Sequence, residues 1–310
     1  MKILVTGGSG YIGSILTPLL LQNGHHVTVL DNLMYKQNTL LDSCYMENFE
    51  FIRGDARDIA LLKNLVPQFD ILIPLAAVVG APACDRDPVL ATSVNLDAVV
   101  ELNNLRSKDQ WVLYPNTNSG YGVGEENAYC TEETPLRPIS LYGRTKVRAE
   151  EALLSTENVI TFRLATIFGL SPRMRLDLMV NDFTYRALKD RFIVLFEENF
   201  RRNYIHIRDV ARVFLFGIEN FERLKNQPYN VGLSSANLAK RELCEKIKEY
   251  VPEFTIYSSS LSKDPDQRNY IVSNERIEKT GWRPQFTLDD GIRELIKGYR
   301  ILNANGFTNL

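Results

Sequence analysis

Tyr142 and Lys146 stand four residues apart in Tyr142-Gly143-Arg144-Thr145-Lys146, a spacing that puts a phenol and an ammonium on one face of a helix. A phenol acts as a base near neutrality only when its pKa falls by roughly 3 units from about 10, and a neighbouring cation is one way to achieve that. Upstream, Tyr114-Pro115-Asn116-Thr117-Asn118-Ser119-Gly120-Tyr121-Gly122 supplies a hydroxyl, Thr117, 25 residues before Tyr142. Such a hydroxyl can hold an alcohol oxygen and share its proton with the phenolate. The chemistry these three side chains suggest is proton removal from an alcohol. With 14 tyrosines in the chain the Tyr/Lys pair also arises by chance, so its meaning depends on what accompanies it.

Near the start of the chain, Thr6-Gly7-Gly8-Ser9-Gly10-Tyr11-Ile12-Gly13 follows the apolar run Ile3 to Val5 and opens a helical pattern, Ser14 to Gln22, that stops at Asn23-Gly24. In that place Gly7 and Gly10 let the backbone approach a pyrophosphate lying on the helix N-terminus, and Gly13 lets the helix pack on the strand. The next apolar run ends at Asp31, 18 residues after Gly13, where a carboxylate accepts hydrogen bonds from an adenosine ribose. Asp31 repels a 2′-phosphate, and Asn32 and Leu33 after it bring no arginine, so NAD is expected rather than NADP. A positive nicotinamide ring then joins Lys146 in lowering the pKa of Tyr142.

These groups need a scaffold, and the chain alternates short apolar runs with helical patterns. The runs are Ile3 to Val5, Val27 to Leu30, Phe49 to Ile52, Ile71 to Ile73, Trp111 to Tyr114 and Val159 to Phe162. Strands separated by helices make an α/β, Rossmann-type doubly wound parallel sheet. Pro88 to Asn104 reads as one helix, and a second follows Ser140. From about Leu170 the segments become arginine-rich and stop alternating, which predicts a smaller C-terminal substrate-binding lobe. The expected division is a cofactor domain over 1–169, completed by about 209–232, and a substrate lobe over 170–208 and 233–310.

Bulk composition removes several classes of function. Lys+Arg 36 against Asp+Glu 38 in 310 residues leaves a charge of -2, so no general field draws the chain to nucleic acid or an anionic membrane. The longest apolar stretch, Ile71 to Ala83, is broken by proline and glycine and is too short to span a bilayer. Four dispersed cysteines and three histidines offer no metal site, and with no sign of a leader before the first strand they point to a cytoplasmic enzyme.

Besides TGGSGYIG and YGRTK, the stretches GDARD, PLAA, RNYIHIRDVA and GWRP resemble the extended short-chain dehydrogenase/reductase family, the NAD-dependent epimerases and dehydratases of nucleotide sugars. The resemblance implies Tyr142 as the base, Lys146 orienting the nicotinamide ribose and Thr117 as hydroxyl partner. It implies Asp55 and Ala56 at the adenine, Leu75, Ala76 and Ala77 along the cofactor, and Arg202 and Arg268 at a nucleotide diphosphate. Two positions depart from the family pattern, Pro74 and Thr166. Dehydratases carry an acid pair directly after the threonine. Here Asn118 and Ser119 stand there, which cannot do that proton chemistry and are expected to touch substrate. What remains is hydride transfer at sugar C4, ending as the 4-keto sugar or as the 4-epimer. IPLAAVVGAPACDRDP, YPNTNSGYG, SPRMRLDLMVNDFTYRAL and FEENFRRNYIHIRDV resemble the branch of the family that oxidises GDP-linked heptoses, so a GDP-linked sugar is favoured. Arg173, Arg175, Arg201 and Arg202 suit a diphosphate-binding surface, because guanidinium meets phosphate oxygens in pairs. A homodimer is expected through the helices at 88–104 and 141–154, His206 reads as a packed histidine, and a non-catalytic NAD-binding regulator stands as the alternative of another class.

Overall fold

Apolar runs that are buried on both faces pair most readily in parallel, with helices covering each side. The computed structural model describes residues 1–36, 38–125, 128–261 and 268–302, so the end of the expected 233–310 segment and its stretch 262–267 lie outside the described residues. In chain order the strands are β1 Lys2–Thr6, β2 His26–Asp31, β3 Phe49–Arg53, β4 Ile71–Pro74, β5 Trp111–Thr117, β6 Tyr129–Cys130, β7 Val159–Leu164, β8 Thr166–Phe168, β9 Phe192–Leu195, β10 Arg201–His206, β11 Gln227–Val231, β12 Asn237–Ala239, β13 Thr255–Ser258 and β14 Ile271–Val272. The α-helices are α1 Gly13–Gln22, α2 Ile59–Leu65, α3 Ala81–Arg86, α4 Pro88–Thr92, α5 Ala98–Leu105, α6 Leu141–Leu154, α7 Met179–Lys189, α8 Ile207–Glu219, α9 Phe221–Leu224, α10 Lys240–Lys248, α11 Glu275–Lys279 and α12 Leu288–Gly298.

One parallel sheet runs β11-β7-β5-β4-β1-β2-β3. Successive residues of a strand face opposite sides, and both sides here are apolar. Leu4, Leu72, Val112 and Tyr114 pack with Leu96, Leu102, Ala149 and Leu153, while Ile3, Val5, Ile73 and Leu113 pack with Leu16, Leu20, Val210 and Phe214. The latter cluster continues through Phe168, Tyr204, Leu243 and Ile292. The small sheets β12-β10-β8 and β13-β9 therefore rest on the core of the large sheet, whereas β14-β6 packs in a small cluster of its own with Tyr121, Cys130, Tyr270 and Val272. At β1 and β4 the strand order reverses, which opens a crevice at their carboxyl ends. Pro74 closes β4, where it has no N–H to give, and Leu75 N donates to Thr6 O at 2.9 Å instead.

The helix expected over Pro88 to Asn104 is interrupted. Between α4 and α5 the backbone widens into a π turn, Ser93–Asp97. Its cause is Asn95, wholly buried, whose amide takes Val78 N at 2.8 Å and donates to Val78 O at 2.9 Å. The extra residue turns that side chain toward the segment after β4, a use to which π turns are often put. No helix among the described residues is long and apolar enough to cross a membrane, and no cluster of His, Cys, Asp and Glu among them could hold a metal ion.

Candidate active site

The loop after β1 is built backbone to backbone. Gly7 N donates to Leu30 O at 2.8 Å and Gly10 N to Gly7 O at 3.0 Å. Gly7 has φ +73, and a Cβ there would lie 2.5 Å from Ala76 N. A Cβ on Gly13 would lie 2.4 Å from Gly8 O, so this glycine serves the loop's own closure rather than contact between helix and strand. Gly10 would meet only Gly7 O, at 3.1 Å, and is the position where the backbone is open to a ligand. Asp31 Oδ2 accepts Ser9 N at 3.0 Å and Oδ1 accepts Leu33 N at 2.8 Å. Burial raises its pKa and these two amides oppose the rise. The carboxylate is thereby held at the end of β2 with lone pairs left for ribose hydroxyls.

All cofactor positions expected from the sequence line a single cavity of about 670 Å³: Gly7, Gly10, Tyr11, Ile12, Gly13, Asp31, Asn32, Asp55, Ala56, Leu75, Ala76, Ala77, Tyr142 and Lys146. The loop, the free approach at Gly10 and the carboxylate at the strand end fit an adenine dinucleotide. Asp55 is gripped by Arg57, with Nε to Oδ1 at 2.9 Å, which holds its pKa at about 2. Tyr11 also ties the loop to the far wall, donating through its hydroxyl to Gly169 O at 2.7 Å.

Ser140 caps α6 by accepting Gly143 N at 3.1 Å, and the helix carries Tyr142 and Lys146 into the cavity opposite Thr117. A buried pair fixes α6 against β7: Arg163 binds Glu150 Oε1 through Nε at 2.9 Å and Nη2 at 2.7 Å. Thr117 Oγ1 donates to Ser119 Oγ at 3.0 Å and lies near enough to the Tyr142 phenol to favour its ionised form. The electrostatics differ from the sequence expectation. Burial pushes Tyr142 up to about 12, with Arg175, Arg268 and Thr117 pulling the other way and Cys84 adding to the rise. Burial also pushes Lys146 down to about 7, opposed by Glu150. Lys146 is not among the groups that lower Tyr142; the protein's own contribution to that comes from the two arginines and Thr117.

Arg173, Arg175, Arg202 and Arg268 line the same cavity, although they come from widely separated segments. Arg175 is buried and forks onto Asp177, with Nε to Oδ1 at 3.1 Å. Arg173 lies 4.2 Å above the Tyr35 ring and Arg202 lies 5.4 Å from that of Tyr270. Arg268 donates to Ser119 Oγ. Two expectations are corrected. Asn118 does not reach the cavity: its side chain is buried under the β5 loop, with neither amide atom partnered among the described residues. Arg201 points away from it and pairs with Glu242 at 3.0 Å, because alternation along β10 sends only Arg202 inward. His206 is a packed residue, bonded to Glu294 at 2.7 Å and capping α8. Among the cavity residues that escaped sequence reasoning are Tyr35 and Asp177, which no local pattern marks, and Asn116, whose place beside Thr117 was the available signal.

The model of the NAD dependent epimerase/dehydratase family matches residues 3–232. The UDP-glucose 4-epimerase of Mycolicibacterium smegmatis is 30% identical over 319 residues, covering 97% of this chain and 99% of that protein. The low-salt glycan biosynthesis protein Agl12 of Haloferax volcanii is 28% identical, covering 96% and 98%. Among solved structures, the UDP-glucose 4-epimerase of Thermus thermophilus in complex with NAD has a TM-score of 0.82 at 25% identity, covering 97% of this chain and 99% of that one.

Proposed function

The chain belongs to the NAD-dependent epimerase/dehydratase family, and from that premise we propose that it oxidises a nucleotide-linked sugar at C4, with GDP-manno-heptose as substrate and the 4-keto sugar as product. The observation that carries this reading is the meeting of Thr117, Tyr142 and Lys146 in one cavity with the glycine loop and four arginines. NAD, when bound, supplies the acceptor for the C4 hydride and a positive ring beside the phenol. Tyr142 takes the C4 hydroxyl proton, Thr117 holds that oxygen, and Lys146 orients the nicotinamide ribose. Arg202 and Arg268 hold the diphosphate, with Arg173 and Arg175 beside them.

Where elimination at C5 and C6 needs an acid and a base directly after the threonine, this chain has Asn118, which is turned away from the cavity, and the hydroxyl of Ser119, so the reading ends at the 4-ketone. The choice of a GDP-linked heptose rests on the four sequence stretches from IPLAAVVGAPACDRDP to FEENFRRNYIHIRDV. Incubation with NAD and GDP-manno-heptose gives a product two hydrogens lighter by mass spectrometry. Failure to reduce NAD with any GDP- or UDP-sugar would falsify the reading. A 4-epimerase is the second reading, favoured by the relative at 30% identity that carries that activity in its name. NMR of the product separates the two, since an epimer keeps the substrate's mass and inverts C4. We also take the chain to pair with a second copy through α4, α5 and α6.

A further inference from the structure

We propose that Tyr114, on β5 beneath the cleft, is a positioning residue whose ring face holds the Lys146 ammonium in place and in its charged form. The assignment builds on the reading of Lys146 as the group that orients the nicotinamide ribose. Lys146 Nζ lies 3.9 Å from the centroid of the Tyr114 ring. Tyr114 is wholly buried and Lys146 is 4% exposed, meeting only the cleft, so protein surrounds the ammonium on its other sides, which a compact point charge tolerates poorly. Among the described residues no hydrogen bond or ion pair to Nζ is seen, and the Tyr114 ring face is the group in contact with it. An aromatic face attracts a cation through its quadrupole, more strongly where water is excluded.

The charged neighbours do not replace the ring. On α6 itself, Glu150 favours the ammonium, but its carboxylate is committed to Arg163 from β7 and to the Thr161 hydroxyl at 2.9 Å. Tyr142, also on α6, faces Arg175 and Arg268 across the cleft and Cys84 from α3. The hydroxyl of Tyr114 is buried without a partner among the described residues, and burial keeps it protonated far into alkaline pH. A phenol there adds nothing to the sheet core that phenylalanine lacks, which leaves the ring face as the part that acts.

The test replaces Tyr114 with Phe and with phenylalanines carrying one, two or three ring fluorines, which keep the shape and drain the face. Two quantities are followed across pH: the Nζ resonance of ¹⁵N-labelled Lys146, assigned with Lys146→Met, and NAD binding by calorimetry. The Tyr114→Phe protein titrates at the wild-type midpoint, and each fluorine lowers the midpoint, by about 1 pH unit over the series. NAD affinity falls off at the same midpoints. A Nζ midpoint that ignores fluorination overturns the assignment, as does a Tyr114→Phe midpoint displaced as far as that of the trifluorinated protein. If the Nζ midpoints shift while NAD affinity does not follow, the ring assignment stands and the role given to Lys146 fails.

Discussion

The glycine loop and the arginine wall face each other across one cleft and are built by opposite means. The loop spans eight residues and is held by its own backbone, with Gly7 pressed against the backbone of Ala76 and Gly10 left open. The arginines come from positions 173 to 268, and each leans on a particular neighbour: Asp177 for Arg175, the Tyr35 ring for Arg173, Ser119 for Arg268. A site made of backbone geometry tolerates almost no added volume. A site made of buried charge tolerates volume but not the loss of a partner.

Tyr142 stands between the two walls, and Tyr142→Phe gives the largest effect. Turnover falls by roughly 10² to 10⁴ while NAD binding, measured by calorimetry, is retained. An unchanged rate removes the phenol from the mechanism and leaves the two walls without a reaction to serve. Next in size, Arg202→Ala weakens binding of the nucleotide sugar by on the order of 10²-fold and spares NAD, because truncating a buried charge is costly only to its own partner. Equal losses of both ligands would mean that the walls are not independent. Gly7→Ala works in the other direction. Strain at φ +73 and the close approach to Ala76 cost about 1–3 kcal/mol in thermal unfolding and weaken NAD binding with it. The smallest effect is that of Arg201→Ala, which removes an exposed pair with Glu242 and changes stability by less than about 0.5 kcal/mol, with nucleotide-sugar affinity untouched.

The same contrast decides what could be read in the sequence. The loop and Asp31 were legible because their geometry is local, and α6 was legible from its cap and its period, running Leu141–Leu154 as its pattern predicts. The π turn at Ser93–Asp97 was not, because what opens it is Asn95 reaching Val78, 17 residues away. Neighbouring Arg201 and Arg202 look alike in sequence, and only the packed strand separates them, with Arg201 exposed at its start and Arg202 buried on the face toward the cleft. Asn118 sits one residue from Thr117, yet the turn after β5 places it inside rather than in the cleft. The groups that act on Tyr142 within the chain were legible only in part: burial raises the phenol and Arg175, Arg268 and Thr117 oppose the rise, and these come together only in the packed structure.

Oxidation at C4 is tested most directly by a single turnover with GDP-manno-heptose deuterated at that carbon. The account predicts that the deuterium leaves the sugar and is recovered on the reduced nicotinamide, with a 4-ketone left behind. Deuterium that stays on C4, with no reduced nicotinamide formed, contradicts it.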